Sequence, residues 1–101
     1  MIKSGVQLYD TAKVRRAARN VKNVAEEVAS VSENDVRKII NSLDSTFEGD
    51  AATALNDQLC SLRSDLNALA SGLRQVSRAL SAYAERLEEA DRLAALGIMG
   101  H

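Results

Sequence analysis

A chain of 101 residues with a net charge of −1 and a sequence pI near 5.8 is a single domain, and its overall charge points to neither nucleic acid nor an anionic membrane surface. It is 46% hydrophobic but only 3% aromatic and has no Pro, so Ala, Leu and Val carry the apolar content and the fold class to expect is all-α. One cysteine, Cys60, excludes an internal disulfide framework and fits a reducing site of synthesis.

The opening segment, MIKSGVQLYD, lacks the apolar core of a secretory signal, so any export is expected to proceed without a cleaved signal peptide. No stretch approaches the roughly 18 apolar residues of a membrane span. A first helix is expected over about residues 6–43. Val14, Ala17, Val21, Val24, Val28 and Val31 step by three and four, and the row re-phases through Val36, Ile39 and Leu43. The slip falls at SVSENDV, where Ser32 and Asp35 read as a capping pair. A kink or stutter within one helix is the expected outcome, two separate helices the alternative.

Residues 44–50 form the expected elbow. Asp44, Ser45 and Thr46 compete with the helix for backbone hydrogen bonds, Gly49 permits positive φ, and Asp50 is placed to cap the next helix. That second helix is expected over about residues 51–95, followed by a flexible tail at 96–101. Leu55, Leu59, Leu62, Leu66, Leu69, Leu73, Val76, Leu80, Tyr83 and Leu87 alternate steps of four and three without a miss, which is a heptad seam. Outward positions hold mostly polar residues, from Ser61 and Ser64 to Glu89 and Arg92.

A short connection makes the two helices antiparallel neighbours. A lone hairpin has a thin core, and small residues flank the second seam: Ala70, Gly72, Ser77, Ala79 and Ala84. Gly72 in a helix interior costs about 0.5–1 kcal/mol relative to Ala, for which close packing is a reason. A second hairpin is therefore expected to complete a four-helix bundle through Leu66, Leu69, Ala70, Gly72, Leu73, Val76, Ala79, Leu80 and Tyr83. In an antiparallel hairpin Lys13, Arg15, Arg16, Arg19 and Lys22 lie level with Arg74 and Arg78, forming a basic belt beside the acidic run Glu85, Glu88, Glu89 and Asp91. The belt is either a solvated face or a docking surface for an acidic partner.

Two long helices with Phe47-Glu48-Gly49 at the midpoint of a chain this long resemble the WXG family, the small early-secreted-antigen-like substrates and partners of type VII secretion. Phe47 stands where the family has Trp, Gly49 matches its Gly, and Leu55 holds a position where an aromatic is common. The resemblance implies synthesis in a bacterial cytoplasm and secretion without a cleaved signal. It implies pairing with itself or a homologous small helical protein, or with the helical leader domain of a larger LXG-type toxin. It also implies delivery to the ATPase of the export machinery. An export signal near the end of the family's second helix is matched in spacing by Leu87, Asp91, Ala94 and Ile98; the Tyr-based version is not, since Leu87 follows Tyr83 by four. Leu87 and Ala94 also continue the seam, and Phe47 also suits a ring that closes the bundle end.

A catalytic reading finds little chemistry. The only His is His101, Cys60 has no His near it, and neither a phosphate loop nor a metal-ligand cluster is present. The expected protein has no cofactor, no metal and no enzymatic activity. A basic nucleic-acid-binding module is the alternative class, opposed by the pI, the scarcity of aromatics and the lack of a reading motif.

Overall fold

A computed structural model of the protein describes residues 10–46 and 49–99, with side chains for 10–43 and 49–97. The first arm comprises α1 (Thr11–Ser30), a π-helical turn (Val31–Val36) and α2 (Arg37–Thr46); the second is one helix, α3 (Asp50–Met99). No strand occurs among the described residues. Asp10 caps α1 by accepting a 3.1 Å hydrogen bond from the Lys13 amide. The expected start near residue 6 lies outside the described residues.

The arms are antiparallel. Ser77 Oγ donates to the Ala18 carbonyl at 2.8 Å, and nearer the elbow Ser32 Oγ lies 3.2 Å from the Arg63 carbonyl. At the reversal Gly49 has φ 93°, a conformation that an L side chain rarely adopts. Its carbonyl accepts the Thr53 amide at 3.1 Å, which makes Gly49 the residue that opens α3. Asp50 was expected to cap this helix; it sits one position inside, where its charge favours the helix N-terminus through the dipole. At the other end α3 runs through Gly97 to Met99, past the expected stop near 95. A single glycine costs a helix about 1 kcal/mol, too little to end one by itself.

The slip in the first arm is a π turn. The earlier row repeats every seventh residue through Val14, Val21 and Val28, and the next apolar member is Val36, one residue late. One extra residue within a helical turn absorbs that offset without breaking the helix. Ser32 does not cap anything. It is wholly buried, with its hydroxyl 2.7 Å from Asn67 Oδ1 and directed also at the Arg63 carbonyl. Glu33, the next residue, holds Arg63 Nη2 at 2.9 Å, so the turn is tied to α3 from two adjacent positions.

The seam between the arms differs from the one the leucines suggest. The buried positions are Thr11, Ala18, Ala25 and Ser32 on the first arm and Ala70, Ser77 and Ala84 on α3, each set spaced by seven. Val36 is the largest hydrophobic side chain in the core. Leu59, Leu66, Leu73, Leu80 and Leu87 are half-buried along one edge of this seam, while Leu55, Leu62, Leu69, Val76 and Tyr83 are 42–51% exposed. Small side chains let two helix backbones approach, and the longer ones are displaced to the flank. The hairpin measures 78 × 19 × 13 Å, a single layer of helices. It exposes 7251 Å², against about 5,600 Å² for a compact monomer of its mass.

The seam makes a checkable demand. Ala70→Leu or Ala84→Leu overpacks it and is expected to lower stability by about 1–3 kcal/mol, whereas Ala79→Leu, on an exposed position, should shift it by less than about 0.5 kcal/mol. Urea unfolding at one protein concentration measures both; equal effects would show that the helices do not meet at Ala70 and Ala84.

Candidate functional site

The seam divides the hairpin surface into two flanks. On α3, the side chains of Leu73, Val76, Leu80 and Tyr83 lie to one side of buried Ser77, and Arg74, Arg78, Ser81 and Glu85 lie to the other. On α1, Val14, Ala17, Val21 and Val24 lie to one side of buried Ala18, and Arg15, Arg19 and Lys22 to the other. Because the helices run antiparallel, the two apolar sides fall on the same flank and the two basic sides on the opposite one.

The apolar flank carries Leu62, Leu69, Val76 and Tyr83 from α3 with Val24 and Val31 from the first arm, all exposed by 42% or more. A row of this length is far beyond the scattered apolar residues of an ordinary surface. Of the residues expected to meet a partner, Leu69, Val76 and Tyr83 lie fully on this flank, and Leu66, Leu73 and Leu80 form its half-buried floor. Gly72 and Ala79 are exposed beside it, and a Cβ added at Gly72 would meet nothing within 4 Å. Packing within the chain therefore does not require that glycine. Ala70 is 1% exposed, and with Ser77 and Ala84 it brings the first arm close instead of a second chain. The small residues expected to admit a second chain thus divide: Ala70, Ser77 and Ala84 are buried within the hairpin, and Gly72 and Ala79 are exposed. Ile39, expected in the re-phased seam, is instead 48% exposed, and its neighbour Ile40 is the half-buried residue there.

The opposite flank is polar. Arg15 Nη2 meets Glu88 Oε1 at 2.6 Å, and Arg15 Nε reaches Oε2 at 2.9 Å, a bidentate pair joining the two arms near their open end. That hydrogen bond holds the Glu88 carboxyl below its usual range, outweighing partial desolvation, with a smaller contribution from the Thr11 hydroxyl. The same contact raises the Arg15 guanidinium. Glu89 is lowered in the same way by Arg92, its neighbour one turn on. Of the basic belt, Arg15 is thus neutralised by the acidic run, and Lys13 lies 3.9 Å from Asp10. Arg16, Arg19, Lys22, Arg74 and Arg78 pair with no carboxylate among the described residues. Lys22, Arg74 and Arg78 line an open groove of about 550 Å³ with Ser77, Ser81, Ala82 and Glu85.

Phe47 and Glu48 of the elbow motif lie outside the described residues; Gly49 supplies the reversal. Of the residues with export-signal spacing, Leu87, Asp91 and Ala94 are half-buried, and Ile98 continues α3 with its side chain outside the described set. The exposed apolar residues of this end are Leu93 and Leu96, at 54% and 50%, which lie off the heptad row and so gave no periodic signal. Cys60 is exposed. No group of His, Cys, Asp and Glu suited to a metal ion occurs among the described residues, and no described helix is long and apolar enough to cross a membrane.

Residues 8–92 match the family model described as WXG100, proteins of 100 residues with WXG. No curated protein and no solved structure matches the chain.

The Arg15–Glu88 clamp carries a pH signature. A carboxyl lowered on folding contributes stability that is present above its unfolded value and is lost as pH falls through the folded one. The melting temperatures of the native chain and of Glu88→Gln should therefore converge as pH falls from neutrality to about 3. A gap independent of pH would mean the carboxylate charge contributes nothing.

Proposed function

We propose that this chain, which belongs to the WXG100 family, works by pairing: its apolar flank docks on the like flank of a second hairpin and completes a four-helix bundle competent for export. The family consists of small secreted helical proteins of type VII secretion, not of enzymes, and its members form helical dimers. In this reading the second hairpin is another copy or a homologous small protein. The observation that carries it is the exposed row Leu62, Leu69, Val76 and Tyr83, which shares a flank with Val24 and Val31 in a layer only 13 Å thick. A single layer cannot bury both faces of its helices, and a second layer is the ordinary solution. Standard interfaces bury about 800 Å² per partner, and the surface in excess of a compact monomer is ample for that.

Within the bundle each part has one task. The small-residue seam holds the hairpin, the flank selects and retains the partner, and Gly49 reverses the chain. The end of α3, with Leu87, Asp91, Ala94 and Ile98, presents the export determinant to the secretion ATPase. Chemistry plays no part; affinity and shape do.

Light scattering on reduced protein across a wide dilution series tests the pairing. The native chain should have about twice its 10.9 kDa mass and keep it on dilution. Leu69→Asp or Val76→Asp places a charge in the middle of the flank and should give monomers. A folded native monomer would overturn self-pairing and direct the flank to a different chain, the helical leader domain of a larger toxin being the first to try.

A further inference from the structure

The basic flank is not used by that pairing, since it faces away from the apolar one. We propose that the groove lined by Lys22, Arg74 and Arg78 is a second docking site, and that its occupant is a short acidic segment of a partner protein. It binds while the apolar flank is engaged, and it does not depend on the pairing.

Charge complementarity carries the assignment. The groove presents three cations against one carboxylate, Glu85. Arg19 adds a fourth cation on the same flank, one turn before Lys22. None of the four is paired with a carboxylate among the described residues. The nearby acids are not equally available, because Glu88 is held by Arg15 and Glu89 by Arg92. Sequence proximity alone suggests a balanced surface; the ion pairs leave the positive charge in the groove and consume the negative charge next to it.

The cations stand in two facing rows, Arg74 and Arg78 on α3 and Arg19 and Lys22 on α1. Each row spans about one helical turn, near 5–6 Å. Ser81 adds a hydroxyl to the lining, while the Ser77 hydroxyl is spent on the Ala18 carbonyl. Arginine in such an array favours planar carboxylates, which it can hold with two hydrogen bonds.

Length decides between a peptide and a nucleic acid. Along α1 the row is bounded by Glu26, and along α3 by Glu85 and Glu88. From Arg74 to Glu85 the helix rises only about 16 Å. A polyanion continuing past either boundary would meet carboxylates, and the groove has no aromatic residue on which a base could stack. A few carboxylates within two or three helical turns fit; a long phosphate backbone does not.

The probe is a fluorescein-labelled, Ala-based peptide of about 15 residues with glutamates one turn apart. Its matched control carries glutamines, and a short DNA duplex forms a third arm. Fluorescence anisotropy is read at low and moderate salt against the native chain and against Leu69→Asp. Saturable binding of the glutamate peptide alone, equal in Leu69→Asp, is expected. Arg74→Glu with Arg78→Glu should weaken it by about tenfold or more. Arg74→Ala with Arg78→Ala serves as a milder pair should the reversal perturb folding. Lys38→Glu with Arg86→Glu, the same charge change outside the groove, should leave binding within about twofold of native. The proposal is overturned by any of three results: no binding, equal loss in both reversal pairs, or tighter binding of the duplex than of the peptide.

Discussion

Everything else in this hairpin depends on the close contact between two rows of small side chains. Buried Thr11, Ala18 and Ala25 on the first arm and Ala70, Ser77 and Ala84 on α3 form it, with the Ser77 hydroxyl on the Ala18 carbonyl, and it brings the helices together with very little hydrophobic volume between them. Alanine burial releases little apolar area, so the contact is narrow and its energetic return is modest. Its consequence is large. Because the small residues occupy the interface, every long apolar side chain except Val36 is displaced to the edge or the flank. The same packing that closes the hairpin therefore creates the surface by which it can associate.

The first arm has to change phase to keep this contact along its length. Thr11, Ala18, Ala25 and Ser32 hold a strict seven-residue spacing, after which Val36, Ile40 and Leu43 take over the inner side. The π turn makes the change at one place. Its buried hydroxyl on Ser32 and the Glu33–Arg63 pair fix the register at that point. A buried hydroxyl without a partner would be costly, so these groups discriminate against a shifted pairing as well as satisfying the native one. Near the open end the Arg15–Glu88 clamp has a comparable role, and it makes the acidic run partly structural.

These two anchors also set the electrostatic character of the surface. Taken as composition, thirteen cations and fourteen acids nearly cancel. Taken as geometry they do not, because the paired groups and the unpaired ones are spatially separated. One flank is apolar and the other carries an unbalanced positive groove. A molecule with such sidedness can hold two different partners at once, each recognised by a different kind of interaction.

The period of three and four, the absence of Pro and the turn chemistry around Gly49 were enough to specify two long helices and their reversal, because helix propensity and capping are local. The family relation was legible too, from Phe47-Glu48-Gly49 at the midpoint of a chain this long. The inner face of each helix was not. A Leu row and an Ala–Ser row share the same seven-residue period, offset by a fraction of a turn, and local energetics favour neither as the inside. The long leucines drew attention to themselves, while Ala70, Ser77 and Ala84 read as a place for another chain. Pairing in three dimensions decided between the rows, since the value of a small residue appears only when a second backbone comes close enough to use the space. Likewise, the basic belt was visible as a list of residues, but which charges remain free was settled by ion pairs between arms separated by 73 residues in sequence, as with Arg15 and Glu88. Secondary structure followed from the sequence by itself; the inner face, and with it the two outer flanks, came from the tertiary contact.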